Sequence, residues 1–287
     1  MPLLLRGRTY ADTELLVMAI INRTRDSFYD KGSTYDDAPA LAAVERAVAA
    51  GADIVDIGGV KAGPGTDVSE SEELTRVVPF VQLVRERHPD IVISVDTWRA
   101  GVADACLAAG ADIVNDAWGG VDPELATVAG AHGAAIVCTH AGGQQPRTRP
   151  HRVGYDDVMS DVIARTTALA QRAIEAGVAP ASVLLDPGHD FGKNTYHSLE
   201  VTRRLRELVA EGFPVLVSLS NKDFVGETLD RPVPERLTGT LATTAVAAWL
   251  GAQVFRAHNV PETREVLDMV ATIRGDRAPA VARRGLA

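Results

Sequence analysis

The chain has 287 residues, is 46% hydrophobic and contains no low-complexity tract, so it can bury the core of one α/β barrel of about 250 residues. A net charge of −9 and a pI near 5.3 argue against a nucleic-acid binder, which needs a basic footprint. Cys106 and Cys138 form no CxxC pair, the apolar run at the N-terminus is too short for a signal peptide, and no stretch approaches about 18 apolar residues; the expected location is the cytoplasm.

In chain order, short apolar β-rich runs alternate with longer amphipathic segments. The spacing predicts strands over 15–21, 54–57, 91–95, 113–115, 135–138, 183–186, 214–219 and 254–257, each apolar enough to be buried on both faces. Helices are predicted over 38–50, 70–87, 100–109, 123–131, 155–176, 197–211, 237–250 and 262–274. Gly51, Gly110 and Gly177 stand just past helix ends, and Pro123 and Pro261 stand at helix starts. Ala50-Gly51-Ala52-Asp53 and Ala109-Gly110-Ala111-Asp112 mark two equivalent helix-to-strand returns. Eight βα units predict a closed (β/α)8 TIM barrel over 1–274, with a patternless tail over 275–287 that is expected to be disordered.

Polar or glycine-rich stretches follow the first, second and fifth strands, over 22–37, 58–69 and 140–154. In a barrel they lie together at the C-terminal face, where sites are built. Polar residues also recur at strand ends: Asn22, Asp56, Asp96, Asn115, His140, Asp186, Lys222, Arg256 and His258. A single strand-end Asp is more often a helix cap than a catalyst. Convergence of Asp96, Asn115 and Asp186 over one mouth, however, suits a heterocycle with several N–H donors. Lys222, Arg256 and His258 follow the last two strands, the usual phosphate-binding region of such barrels, although Lys222 and Arg256 could equally pair with Asp186 or Asp223 as structural ion pairs. His88, His132 and His189 follow no metal spacing and are expected on the surface or in loops.

The succession of motifs is specific. Asp26-Ser27-Phe28 follows Asn22; Asp53-Ile54-Val55-Asp56-Ile57-Gly58-Gly59, Ser94-Val95-Asp96-Thr97 and Asn115-Asp116 come next. Asp186-Pro187-Gly188 with Phe191-Gly192-Lys193, Ser220 with Lys222, and Arg256 with His258 complete the series. In order and spacing, from about residue 15 to 274, this resembles the dihydropteroate synthase family. The resemblance implies a barrel that condenses 6-hydroxymethyl-dihydropterin diphosphate with p-aminobenzoate in folate biosynthesis, releasing diphosphate with Mg2+. It implies that Asp96, Asn115, Asp186 and Lys222 hold the pterin, and that Asn22, Arg256 and His258 hold the diphosphate, with Asn22 on the Mg2+. It places Phe191, Ser220 and Lys222 near p-aminobenzoate, and in an active member Asp96, Asp186, Lys222 and Arg256 would carry catalysis. Carboxylates near the ring and cations near the leaving group stabilise charge where it develops.

The chain departs from the family in its loops. After Asn22 it has Arg23-Thr24-Arg25 where the family has Val-Thr-Pro. After Gly58-Gly59 it has Val60-Lys61-Ala62-Gly63-Pro64-Gly65 in place of Glu-Ser-Thr-Arg-Pro-Gly, so the acid, hydroxyls and arginine are missing. Lys61 or Arg25 is the candidate to compensate, although a lysine two positions away makes point-charge contacts and cannot copy the forked geometry. Thr139, Asp190, Ser218, Asn221 and Asn259 are further departures, and Asp190 and Ser218 add atoms where the family has glycine.

These changes predict a paralogue that binds pterin-like ligands weakly, with little or no synthase activity. A working synthase with altered loops, or a barrel repurposed for another pterin or phosphorylated ligand, are the alternatives. The glycine-rich second loop, with no large side chain to anchor it, is expected to move. The apolar and small residues of 237–250 predict a homodimer.

Overall fold

The computed structural model describes residues 1–24, 34, 36–148 and 153–285. A two-stranded hairpin of β1 (Leu3–Leu5) and β2 (Arg8–Tyr10) precedes β3 (Leu16–Asn22), α1 (Asp37–Ala49), β4 (Ile54–Gly58), α2 (Glu70–Arg87) and β5 (Val92–Asp96). Then come α3 (Ala100–Ala108), β6 (Ile113–Asp116), α4 (Glu124–Ala131), β7 (Ala135–Thr139), α5 (Val158–Glu175) and β8 (Val183–Asp186). The last third holds α6 (Thr195–Arg203), α7 (Leu205–Val209), β9 (Leu216–Ser218), α8 (Asp223–Leu229), α9 (Leu237–Leu250), β10 (Val254–Ala257) and α10 (Val260–Arg274).

The strands β3 to β10 pair in parallel in the order β8-β7-β6-β5-β4-β3-β10-β9. A parallel bridge between Leu185 and Val215 closes β8 onto the start of β9, so the sheet is a (β/α)8 barrel. Two apolar layers hold it. Outward strand residues such as Val55, Ile93 and Leu185 pack on the helices through Val44, Val81 and Leu267. Inside the lower end, the first residues of the strands, among them Leu16, Ile54, Val92 and Leu184, are sealed from below by Leu3, Leu5 and Tyr10 of the hairpin. The plug leaves the opposite end, where the strands stop, as the open mouth.

The departures from the sequence reading have local causes. The hairpin was not expected, because three-residue strands leave almost no period to detect. The single helix expected over 197–211 breaks at Arg204, whose guanidinium reaches Asp157, Glu200 and Glu207. Short α8 was also missed, since its starting amides are capped from another loop by Asp190. His189 is fully buried rather than superficial, its ring stacked on Phe224 and its Nε2 2.9 Å from Thr202 Oγ1.

Candidate functional site

Register brings the polar strand ends to one level. Asp96 pairs with Gly58 on one side and Asn115 on the other, Thr139 stands beside Asp186, and Asn22 beside Gly58. Arg256 on β10 reaches across the mouth: its Nε donates to Asp56 Oδ2 at 2.6 Å and its Nη2 to Asp96 Oδ2 at 2.8 Å. Ser94 Oγ donates to Asp56 Oδ1 at 2.6 Å, and Asn115 Nδ2 lies 3.3 Å from both Asp56 oxygens. Asp56 is fully buried, so its charge depends on these donors. Two carboxylates thus share one guanidinium, and burial raises the Asp96 carboxyl to about 7 against the pull of Arg256, with Asp56 adding like charge. The ion pairs open to Arg256 and Lys222 in the sequence reading resolve differently: Arg256 takes Asp56 and Asp96, while Asp223 pairs with Arg236.

The opposite wall is built by the loop after β8. Gly188 holds φ +64°, and a Cβ there would lie 2.0 Å from the His140 carbonyl, so this turn admits only glycine. The turn lets Asp186 Oδ1 accept the Gly188 amide at 2.7 Å; burial raises the Asp186 carboxyl and the Lys222 charge opposes it. Lys193, buried below, holds the loop by donating to the carbonyls of Gly188 at 3.0 Å and Phe191 at 3.1 Å, with His140 Nδ1 at 2.6 Å. Lys222 donates to the His189 carbonyl, and its Nζ lies 4.8 Å from the centre of the Phe191 ring. Ser220 Oγ accepts the His258 amide at 3.2 Å and lies 2.9 Å from His258 Nδ1, which ties it to the His258 side.

Several contributors were not singled out by sequence. Asp56 was noted as a strand-end residue but given no partner; its tie to Arg256 is what sequence did not show. Trp118 packs edge-on against Phe191 at 5.1 Å and against Trp98 at 6.4 Å, bracing the Phe191 ring. The second loop is held by large side chains, contrary to the expectation that nothing anchors it. Arg147 donates to Thr66 O at 2.7 Å and Gly63 O at 3.4 Å, Arg76 to Gly59 O at 2.8 Å, and Arg99 to Val68 O at 2.7 Å. Val60 is buried beneath it. Asp190, which adds atoms where the family has glycine, turns its carboxylate to the start of α8. Arg25 and Asp26-Ser27-Phe28 lie outside the described residues. Arg23 is buried over Phe80 and paired with Asp37 and is therefore committed away from the mouth.

The half-buried imidazole of His258 gives a pH signature. Burial, then the charge of Arg256, pushes His258 down to about 3. Unfolded His258 takes a proton near its ordinary value of about 6.5 whereas the native one does so near 3, so its contribution to stability is lost as pH falls through that window. The slope is about 1.4 kcal/mol per pH unit. Asp96 and Asp116, raised to about 7 and about 6, act with the opposite sign in both wild type and variant and largely cancel in the difference. Urea unfolding from pH 6.5 to 4 should therefore steepen in acid more for wild type than for His258→Gln. Parallel curves would contradict this.

The model of the family described as pterin binding enzyme matches residues 18–258. The chain is 58% identical to the inactive dihydropteroate synthase 2 of Mycobacterium tuberculosis strain H37Rv over 285 residues, covering 98% of this chain and 90% of that protein. It is 39% identical to the dihydropteroate synthase of Bacillus subtilis strain 168 over 258 residues, covering 89% and 87%. Among solved structures, the Yersinia pestis dihydropteroate synthase with a sulfonamide drug complex superposes with a TM-score of 0.90 at 37% identity, covering 96% of this chain and all of that one.

Proposed function

This chain belongs to the pterin-binding enzyme family as a divergent dihydropteroate synthase paralogue, and from that premise we propose that it binds a pterin-like ligand but does not condense it with p-aminobenzoate. One observation carries the reading. The mouth keeps its ring of acceptors and one lysine, while the loop opposite offers Val60, Lys61, Ala62 and Gly63, with Val60 buried and the backbone carbonyls held by arginines. Asp96, Asn115, Asp186 and Lys222 would take the ring, their carboxylates accepting its N–H groups and the ammonium donating to its carbonyl. Arg256 and His258 would face the diphosphate, and Phe191, Ser220 and Lys222 the aryl end.

Mg2+ suits a hard oxygen donor, and the Asn22 amide oxygen is one; the ion would complete its shell with phosphate oxygens and water and neutralise their charge. Asp96, Asp186, Lys222 and Arg256 would be the catalytic groups if turnover survived. The barrel through residue 274 is taken as one pterin-binding unit, with 275–287 a tail outside it. Cytoplasmic residence is supported by Cys106 and Cys138, which are buried free thiols. The test is a thermal melt with 6-hydroxymethylpterin. Binding to the native state at a hundredfold excess over Kd stabilises by about 2.7 kcal/mol, so an upward shift of several degrees is expected and no shift would sink the reading.

The homodimer belongs to the same proposal. On α9 and α10, Val246, Trp249, Met269 and Ile273 are each about half exposed or more, at 48%, 51%, 60% and 60%, and α9 packs along α10, forming an apolar surface that a twofold copy would cover. Light scattering at micromolar concentration should give twice the 30.4 kDa chain mass, and Trp249→Glu should halve it. A monomeric wild type would refute the dimer.

A further inference from the structure

Two consecutive triplets on neighbouring loops grip one another. The His189 carbonyl accepts the Lys222 ammonium, which also faces the Phe191 ring. The Asp190 carboxylate accepts the amides of Asp223 at 2.7 Å and Phe224 at 3.4 Å. Ser198 Oγ lies 3.3 Å from the other carboxylate oxygen and accepts the Asp190 amide at 3.2 Å. The His189 ring completes the contact by stacking on Phe224, centroids 5.5 Å apart. Lys222 stands at the N-cap of α8 and, among the described residues, its side chain makes no cap, so the first amides of that helix depend on Asp190. Asp190 holds φ +65°, a left-handed conformation that a residue with a Cβ keeps only when its surroundings fix it.

We infer that Asp190 is a positioning residue that, by capping α8 and standing as a fixed counter-charge to Lys222, keeps the lysine an oriented donor to an uncharged ring carbonyl and withdraws it from the carboxylate of an aryl ligand. This rests on the reading of the mouth as a pterin site. The physical reason is charge. The Asp190 carboxylate sits on the amides of the two residues that follow Lys222, and its charge, with those of Asp186 and Asp223, holds the ammonium against Arg256, so an incoming carboxylate meets resident carboxylates whereas a neutral carbonyl does not. The site therefore takes uncharged, carbonyl-bearing planar heterocycles in preference to benzoate-type anions.

Asp190→Gly and Asp190→Asn both tolerate the left-handed backbone, so the fold should survive at least one of them. The full chain and both variants would be titrated calorimetrically with 6-hydroxymethylpterin and with p-aminobenzoate. The titration of Lys222 would be followed by the 13Cε resonance of labelled lysine, assigned by Lys222→Met. With the carboxylate gone, Lys222 should lose its proton about one pH unit lower. p-Aminobenzoate should bind about tenfold tighter and the pterin weaker. An unchanged Lys222 titration in a folded variant, or p-aminobenzoate affinity unmoved, would overturn the inference. If the wild type binds neither probe, the pterin reading fails, and the Lys222 resonance still decides whether Asp190 sets the lysine.

Discussion

Purified protein supplied with 6-hydroxymethyl-dihydropterin diphosphate, p-aminobenzoate and Mg2+ is expected to form dihydropteroate several orders of magnitude more slowly than an intact synthase. A hydrogen bond to a charged group contributes about 1.5–3 kcal/mol, and each 1.4 kcal/mol acting in the transition state is about tenfold in rate. Between Gly59 and Pro64 the acid, hydroxyl and guanidinium positions are lost together, so a group of such contacts is missing. The losses need not add, since residues that act as a unit are not independent. One missing contact would still leave a measurable enzyme; the whole set should not. Restoring Gly63→Arg with Ala62→Thr should recover activity only in part. Arg147 already holds the Gly63 carbonyl, and Val60 remains buried where the family has an acid. Turnover within the ordinary range of about 1–1000 per second would refute the expectation.

Arg256→Ala is expected to destabilise the fold by about 3–5 kcal/mol, the usual effect of removing one partner from a buried ion pair. Among the described residues, the substitution leaves Asp56, fully buried, with Ser94 and Asn115 as its side-chain donors, and takes from Asp96 beside it the Arg256 cation. Two carboxylates in one half-dry mouth then repel, and one must take a proton, so the loss should be smaller at pH 5 than at pH 8. Double replacement with Asp56→Asn should restore part of the stability, because it removes the stranded charge rather than a contact. Urea unfolding at both pH values checks this, with a lowering of the thermal midpoint by about 6–20 °C as the companion reading. A change below about 1 kcal/mol at pH 8 would mean that the pairs are solvated and contribute little.

The architecture was legible because its period is strong: apolar strands over 54–57, 183–186 and 254–257 and helices over 70–87 and 237–250 stand in the structure almost residue for residue. What escaped had its cause outside the segment concerned. The hairpin is two strands of three residues, defined by what Leu3 and Leu5 plug, and α8 depends on a cap that lies 33 positions away in sequence. Strand ends located the polar ring of Asp96, Asn115, Asp186 and Arg256, since side chains there face the mouth whatever their partners. The partners themselves were not legible. Arg256 and Asp56 are 200 positions apart, and Arg147 meets Gly63 across 84. Glycine counting suggested a loose second loop, because the arginines that hold it come from α2, the start of α3 and the loop after β7. His189 carried no period that would distinguish a buried imidazole from an exposed one.

The most direct test is one calorimeter cell. The full chain is titrated with 6-hydroxymethyl-dihydropterin diphosphate in the presence of p-aminobenzoate and Mg2+, and the contents are then assayed for dihydropteroate and free diphosphate. Saturable binding with the ligand recovered intact is the predicted result. Conversion of the ligand to dihydropteroate on the timescale of an ordinary enzyme, or absence of any saturable heat, would contradict a pterin site that binds without condensing.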